Sequence, residues 1–348
     1  MLSLGSPEQA VPTKHPLRRI KKLADAVLSE LSPTFDAMYA GSGRPSVPPE
    51  RLLKGMLLMA LYSVRSERML SEQLGYNLLF KWFLDMRMDE APFDPTTFGK
   101  NRDRILEHDV AHEFFRGVVG QARRAGLMSS EHFSVDGTLI DAWASMKSVR
   151  PKDEDDDDND SNGWADFRGE KRSNDTHESK TDPEAKLMRK GKGREAKLSY
   201  VLNALMENRN GLLVGVQVDE ATGTAERDGA LDLIERELPG NRRITVGADK
   251  GYDTKDFVAR LRELNATPHV AQNITEYRGS AIDARTTSRP GYRASEIVRR
   301  RIESIFGWGK STGSLRKSRF KGKKKTNLWV TIVGAAYNLL RVAKLAPA

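Results

Sequence analysis

From about residue 130 onward the chain alternates between strand-like and helix-like segments, and this order restricts the possible fold more than any other feature. Apolar runs with alternating polar positions predict strands, whereas apolar residues spaced three and four apart predict helices. In chain order we predict strands at 132–140, 198–206 and 212–218, a helix at 225–238, a strand at 244–248, a helix at 253–264, a strand at 268–271, and helices at 295–309 and 327–345. Strands that alternate with helices predict an α/β sheet with right-handed crossovers.

Three strands that can pair as antiparallel neighbours, followed by this alternation, form the order of a ribonuclease H-like domain. We therefore predict a mixed five-stranded sheet with helices at residues 129–348. The loop 207–211 between the second and third strands contains Asn210-Gly211, a hairpin signal. Residues 147–195 are polar and contain an acidic run at 153–158, so we predict a flexible insertion there. The acidic run can bind metal loosely, but a solvated loop is its ordinary explanation.

The first part of the chain reads as helical from about residue 14 to 127. Leu17, Ile20 and Ala24 recur at helical spacing, and Pro49 and Pro95 suit the first turns of two helices. A helix, a turn containing Gly75 and another helix give the general shape of a helix-turn-helix DNA reader, which ordinary helical domains share. We predict an all-α, DNA-binding domain at residues 1–128.

The charge of the chain favours an anionic partner. Its 57 Lys and Arg residues outnumber 48 Asp and Glu residues, which gives a formal net charge of +9. With no Cys, the chain has no disulfide, thiolate metal ligand or Cys nucleophile. We expect no membrane-spanning run and no signal peptide, and hence a protein of the cytoplasm.

Three separated carboxylates carry the chemical prediction. Asp136 lies in the first strand of the second domain, Asp249 follows the strand 244–248, and Glu303 lies in a basic helix. If the two strands are neighbours, both Asp side chains meet at one edge of the sheet, and the helix has to bring Glu303 to them. Each residue alone has an ordinary explanation, as a turn residue, a cap or a surface charge. Together they supply the oxygen ligands that Mg²⁺ prefers.

The helix predicted at 295–309 places Arg299 and Glu303 on one stripe, with Lys310 seven residues beyond Glu303. A carboxylate flanked by two cations suits a metal ion and phosphate groups in the same place. Asp141 lies on the opposite strand face from Asp136 and is left out of the set.

Further residues are predicted to lie near the site or to contact DNA. His269 is a possible near-site residue, although a structural histidine at a strand edge explains it equally well. Trp308 can stack on an unpaired base, but we favour helix packing. The predicted contacts to the DNA backbone are Arg299, Lys310, Arg316, Lys317, Arg319, Lys321, Lys323 and Lys324.

Three blocks of sequence resemble the DDE transposases of bacterial insertion sequences, and the resemblance covers nearly the whole chain. Ser134-Val135-Asp136-Gly137-Thr138 resembles their first catalytic block, Asp249-Lys250-Gly251-Tyr252 the second, and Arg299-x3-Glu303-x6-Lys310 the third. The segments 181–185 and 207–212 and the helical region 51–103 also resemble this family. One departure is Glu296, which stands where related enzymes often have a Tyr, and this leaves the cleavage pathway open.

The resemblance implies a ribonuclease H-like catalytic domain with Asp136, Asp249 and Glu303 as the metal-binding triad. It implies Mg²⁺ as cofactor, with Mn²⁺ as a substitute, and two-metal-ion cleavage of element ends followed by joining to target DNA. The expected partners are double-stranded DNA, namely terminal inverted repeats and target DNA, and a second copy of the chain on DNA. Three alternatives stay open: a sequence-specific DNA-binding regulator, a metal-dependent structure-selective nuclease on the same fold, and an inactive descendant.

Overall fold

The computed structural model describes residues 6–38, 47–152, 172–191, 193–275 and 279–346. Eight helices precede the first strand in these residues, which agrees with the predicted helical region. They are α1 (Pro7–Ala10), α2 (Leu17–Glu30), α3 (Ser32–Met38), α4 (Pro49–Leu61), α5 (Glu67–Tyr76), α6 (Leu78–Phe83), α7 (Pro95–Glu107) and α8 (Val110–Arg124).

Local sequence explains where several of these helices begin. The Asp94 carboxylate accepts hydrogen bonds from the N–H groups of Thr96 (2.8 Å) and Thr97 (3.3 Å), so it caps α7. Proline occupies the first position of both α4 and α7, where its missing N–H costs no hydrogen bond. The buried residues of α2 repeat at the spacing seen in the sequence, because one face of the helix lies against the core.

Eight strands and six further helices follow within the described ranges. The strands are β1 (His132–Asp141), β2 (Val149–Pro151), β3 (His177–Ser179), β4 (Lys186–Arg189), β5 (Ala196–Glu207), β6 (Leu213–Glu220), β7 (Ile244–Ala248) and β8 (Ala266–Val270). The helices are α9 (Ala225–Glu237), α10 (Lys255–Glu263), α11 (Ala284–Thr287), α12 (Pro290–Val298), α13 (Arg301–Ser311) and α14 (Lys323–Leu345).

The main sheet has the order β4-β5-β1-β7-β8, and β6 pairs with β5. Strands β1, β5 and β6 pair as antiparallel neighbours, whereas β1, β7 and β8 run parallel. This is the ribonuclease H-like arrangement, and it confirms the predicted fold class. The number of strands needs correction: β4 adds a sixth strand, which pairs with the first residues of β5.

The predicted flexible insertion also needs correction where its residues are described. Strands β2 and β3 form a small antiparallel sheet, and β4 joins the main sheet. The Tyr200 hydroxyl donates a hydrogen bond of 2.6 Å to the buried Asp182 carboxylate, which ties this region to β5. These long-range contacts order a segment whose composition alone predicts a loop. The acidic run at 153–158 lies outside the described residues.

The predicted single helix at 295–309 is in fact two helices. Residues 299 and 300 interrupt it, and the N–H groups of Ile302 and Glu303 bond to carbonyls three residues back rather than four. Tertiary contacts hold the two helices separately. In α12 the Ser295 hydroxyl lies 2.8 Å from His269 Nδ1, whereas Arg301 in α13 donates to the carbonyl oxygens of Asn208 (3.1 Å) and Arg209 (3.0 Å).

Helices cover both faces of the sheet. Helix α9 packs against β1, β5 and β6, and Gly229 permits its close approach: a Cβ added there would lie 2.1 Å from Asn203 Nδ2. On the other face α12 contacts β7 and β8, α13 contacts β1, and α14 contacts β6. Helix α14 also packs against α2, α4 and α8, so the helical region and the sheet share one hydrophobic core.

By length and composition α14 is able to cross a membrane, which corrects the expectation that no run of the chain is long enough. Its apolar window is 72% buried inside the protein, as in the core helix of a globular domain. Its polar residues serve the edge strand β6. Asn338 accepts from the Leu213 N–H (2.9 Å) and donates to the Leu213 carbonyl (2.8 Å), and Asn327 accepts from the Val218 N–H (3.0 Å). These bonds satisfy backbone groups that an edge strand otherwise leaves open.

Candidate active site

The pairing of β1 with β7 brings Asp136 and Asp249 to the same part of the sheet. The two strands are parallel, and Ser134 is the partner of Gly247. Two residues farther along each strand are Asp136 and Asp249, and a step of two residues keeps side chains on the same face. Asp249 lies immediately beyond β7, where its carboxylate accepts a hydrogen bond of 2.7 Å from the Gly251 N–H.

Burial and neighbouring charge make Asp136 an unusual carboxyl group. Burial raises its pKa most, the negative charge of Asp249 adds to this effect, and together they bring the pKa to about 7. A hydrogen bond of 2.8 Å from the Gly137 N–H and the positive charge of Arg299 oppose the rise. A divalent cation at this place relieves the repulsion between two carboxylates, so the pair is suited to holding one.

Glu226 is a carboxylate at this site that sequence reasoning missed. It lies in the first turn of α9, on the other face of the sheet, and burial followed by the charge of Asp249 raises its pKa. Gly137 makes room for it, because a Cβ added at Gly137 would lie 2.6 Å from Glu226 Cγ. A glycine inside a strand signals such a close approach, but it does not identify the approaching residue.

Tyr252 places a buried hydroxyl in the same neighbourhood. The residue is 1% exposed, and its hydroxyl has no hydrogen-bond partner within the described part of the chain. Burial raises the pKa of Tyr252 well above its ordinary value, and the charges of Asp136, Glu226 and Asp249 act in the same direction. A buried hydroxyl without a partner, beside three carboxylates, can form a hydrogen bond with a water molecule that is bound to a metal ion.

Glu303 is exposed on α13. Over the described ranges, no group of three or more His, Asp or Glu side chains is close enough to hold a metal ion. The structure therefore brings Asp136 and Asp249 together but leaves the predicted triad open. The predicted stripe assumed one continuous helix, whereas Arg299 lies in the break between α12 and α13 and Glu303 lies beyond it in α13.

The two predicted cations of this block lie close to Asp136. Lys310 donates a hydrogen bond of 2.6 Å to the Thr138 hydroxyl, two residues beyond Asp136 on the same strand face. Arg299 packs over β7: a Cβ added at Gly247 would lie 3.7 Å from Arg299 Cβ. The Arg299 Nε is buried and has no hydrogen-bond partner among the described residues. Positive charge therefore flanks Asp136 from two directions.

His269 and Trp308, the two residues predicted as possible near-site residues, are held by contacts with other side chains. His269 is bound to Ser295 and makes an edge contact with the Tyr292 ring at 5.7 Å between centroids. Burial and then the nearby His132 lower the pKa of His269, which favours the neutral ring. Trp308 packs on Tyr337 at 5.5 Å between centroids. Both side chains therefore have packing partners within the protein.

The run of cations at 316–324 is divided among several environments. Arg316 and Lys317 are exposed beside the end of β1. Arg319 is a correction to the predicted DNA contacts: its guanidinium lies 4.1 Å from the centre of the Trp329 ring, it donates to the Val64 carbonyl (3.3 Å), and burial lowers its pKa to about 10. It connects the two regions of the protein.

The remaining cations of the run face other neighbours. The Lys321 ammonium lies 5.1 Å from the centre of the Trp143 ring. Lys323 and Lys324 line a cavity of about 260 Å³. Asp219 and Glu237 line the same cavity, so the two lysines have carboxyl groups near them within the protein. The exposed residues Arg316 and Lys317 are thus the clearest candidates in the run for contact with an external anion.

Comparison with known protein families gives two matches along the chain. A family described as a transposase domain (DUF772) matches residues 6–104. A family described as a transposase DDE domain matches residues 166–339, which is half of the chain and includes Asp249 and Glu303. The two matches follow each other in the order of the helical region and the sheet.

Solved structures with a similar arrangement are distant. One is a synaptic complex of piggyBac transposase with hairpin DNA, at 8% identity and a TM-score of 0.44, covering 98% of this chain and 77% of that one. Another is a Mos1 transposase paired-end complex with the left transposon end, at 12% identity and a TM-score of 0.21, covering 80% of this chain and 82% of that one. At these values the similarities do not inform the chemistry of the site.

Proposed function

The chain belongs to the transposase DDE domain family, and from this premise we propose that it cleaves the ends of an insertion sequence and joins them to target DNA. The observation that carries the proposal is the parallel register of β1 and β7, which sets Asp136 beside Asp249. The raised pKa of Asp136 and the unpartnered Tyr252 hydroxyl support a site built to receive a cation.

We propose Mg²⁺ as the cofactor, with Mn²⁺ as a substitute, held by Asp136, Asp249 and a third carboxylate. The bound cations supply activation of the attacking oxygen and stabilisation of the leaving oxygen. Asp136 and Asp249 provide hard oxygen ligands on rigid strands, so they are positioned before DNA arrives. Lys310 and Arg299 flank them and neutralise the charge of the phosphate under attack.

The third carboxylate is Glu303 by resemblance to the family, whereas Glu226 is the carboxylate already close to the pair. For Glu303 to contribute, α13 has to move or its side chain has to turn inward when metal and DNA bind. The two residues can be distinguished by experiment, because they lie on different helices.

The proposed partners are the terminal inverted repeats of the element and a target duplex. Two ends must be joined in one reaction, which favours a pair of protein copies on DNA. Residues 1–128 are the proposed DNA-binding domain, and the nucleoid of a bacterial cell is the proposed place of action. The proposed contacts to the DNA backbone are Arg316, Lys317, Lys321, Lys323 and Lys324.

The test is a cleavage and joining assay with Mg²⁺ and the DNA that flanks the coding sequence of the element. Asp136→Asn and Asp249→Asn should reduce both products to background while DNA affinity is retained, because the variants keep the size of the side chain and remove its negative charge. Normal activity of either variant would remove that residue from the site. Cleavage without joined product in the wild type would instead indicate a nuclease, and DNA binding without cleavage would indicate a regulator.

The matched pair Glu303→Gln and Glu226→Gln identifies the third carboxylate. The family resemblance predicts background activity for Glu303→Gln and a smaller loss for Glu226→Gln. The reverse result would assign the third metal ligand to Glu226. Mg²⁺ titration of DNA cleavage separates a weakened metal site, which higher concentrations rescue, from a lost catalytic group.

A further inference from the structure

A groove opens at the carboxyl end of β1, between β4, the first residues of β5 and α13. Its volume is about 880 Å³, and its cations are Lys190, Arg194, Lys197, Lys310 and Arg316. We call it the β4 groove. Lys190 and Arg194 belong to the segment 147–195 that the sequence predicts as a flexible insertion, and Lys197 lies in β5.

Positive charge in the β4 groove is largely unpaired. Lys190, Arg194 and Arg316 are exposed and form no ion pair with any described residue. Among the described residues, the carboxylates that line the groove are Asp141 and Glu195, and the Lys197 ammonium lies 3.8 Å from Asp141. Burial and then the charge of Lys190 lower the pKa of Lys310, so these cations act on one another. Unpaired like charges in one concave surface attract an anionic chain.

The groove adjoins the proposed active site at Lys310. Lys310 lines the groove, and its ammonium is bound to the Thr138 hydroxyl, two residues beyond Asp136 on the same strand face. A polymer seated in the groove would therefore contact Lys310 at one end, whereas Leu139 and Asp141 of the lining alternate with Asp136 and lie on the other face of β1. Leu139, Met188 and Gly307 give the groove an apolar floor between its cations.

The size of the groove suits a short stretch of nucleic acid. A volume near 880 Å³ lies in the range of pockets for drug-sized ligands, which is room for a few nucleotides. Cations along the rim match the phosphate backbone of one strand, and the apolar part of the lining gives unpaired bases a surface to contact.

We propose that the β4 groove holds a single DNA strand adjoining the cleaved phosphodiester, with Lys190, Arg194 and Lys197 as backbone contacts. That the bound polymer is DNA rests on the proposed function. The groove adds where the DNA binds and that it binds as a single strand.

The test compares two triple variants that each remove three positive charges. One is K190A/R194A/K197A in the groove. The control is K255A/R260A/R262A on α10, whose exposed cations lie beside β8 at the opposite edge of the sheet. Affinity for a fluorescein-labelled, mixed-sequence oligonucleotide is measured by anisotropy across a salt series without divalent metal, with the oligonucleotide single-stranded or annealed to its complement. Thermal unfolding of both variants verifies that they fold.

For three lost phosphate contacts, the slope of log affinity against log salt for the single strand should become shallower by about 2 in the groove variant. The control should keep the wild-type slope. Equal changes in the two variants, an unchanged groove variant, or an equal effect on the duplex would each overturn the proposal.

The outcomes also separate this proposal from the proposed function. A wild-type protein that cleaves and joins element ends, with a groove variant that binds single strands normally, refutes the groove alone. A groove variant with lost affinity, in a protein that never cleaves DNA, refutes the transposase activity and leaves the groove as a single-strand site.

Discussion

Asp136 shows how one buried position in a strand produces an unusual acid. Burial raises the pKa of Asp136 by disfavouring the charged form, and the negative charge of Asp249 raises it further. The backbone hydrogen bond from Gly137 and the positive charge of Arg299 lower the pKa, but by less than the other two effects raise it. The pKa of about 7 means that the carboxyl group keeps its proton at pH values where an ordinary Asp has lost it. Folding and proton binding are therefore linked at this residue.

We predict that Asp136 makes a contribution to the stability of the metal-free protein that falls as the pH rises from about 4 to about 7. The folded pKa of Asp136 is above its ordinary value of 3.8, so in this window the folded state holds a proton that the unfolded chain has released. Unfolding then releases a proton and is favoured by rising pH. Since one pKa unit corresponds to about 1.4 kcal/mol, the loss is on the order of 4 kcal/mol.

Urea denaturation at a series of pH values measures this dependence. Asp136→Asn cannot ionise, so its stability should fall less steeply over the same window. A residual slope is expected, because the pKa of Glu226 is raised as well. Identical profiles for the variant and the wild type would show that Asp136 does not titrate in this range.

Single residues also mark the limit of sequence reasoning at the site. Asp136 and Asp249 were predictable because strand boundaries are local features, and parallel pairing then sets their register. Glu226 and Tyr252 depend on how α9 and the turn after β7 pack, which no local pattern contains. Glu303 was predicted from its helix and from the resemblance of its block to the family, and the break at residues 299 and 300 was not predictable from the helical period.

At the scale of elements, the loop between β5 and β6 is organised around the buried carboxylate of Glu207. It accepts hydrogen bonds from four backbone N–H groups, those of Ser129, Arg209, Asn210 and Leu212, at 2.8–3.0 Å. Arg301 of α13 donates to carbonyl oxygens of the same loop. The loop thus positions the helix that carries Glu303 and Lys310.

We predict that Glu207→Ala destabilises the protein by about 3–5 kcal/mol, because buried N–H donors lose a charged acceptor together. Glu207→Gln should cost less than Ala but remain destabilising, since one oxygen becomes an NH₂ group that faces donors. The urea midpoint measures both effects. Glu235→Ala, at an exposed position of α9, is the control and should stay within about 0.5 kcal/mol. A Glu207→Ala midpoint close to that of the control would contradict the role of the carboxylate.

At the scale of the whole molecule, the hydrophobic core extends across the domain boundary that the sequence predicts near residue 128. Helix α14 closes the sheet at β6 and also packs on α2, α4 and α8. Gly334 permits this closeness, since a Cβ added there would lie 3.2 Å from a Phe115 ring carbon. Arg319 joins the same regions through Trp329 and the Val64 carbonyl. The sequence predicts a helical region and an α/β region, but it does not predict that they share one hydrophobic core. Contacts between distant segments leave no periodic signal in the sequence.

A shared core predicts that the helical region and the sheet unfold in one cooperative transition. Leu339 of α14 is fully buried, and Leu339→Ala should cost about 2–5 kcal/mol through lost burial and a cavity. Native-state hydrogen exchange, read on peptides from α4 and from β5, measures the opening free energy of each region. Both values should fall by the same amount in Leu339→Ala and remain unchanged in Arg262→Ala, at an exposed position of α10. If β5 loses protection while α4 keeps it, the helical region unfolds independently of the sheet. The proposed DNA-binding part could then move separately from the catalytic part.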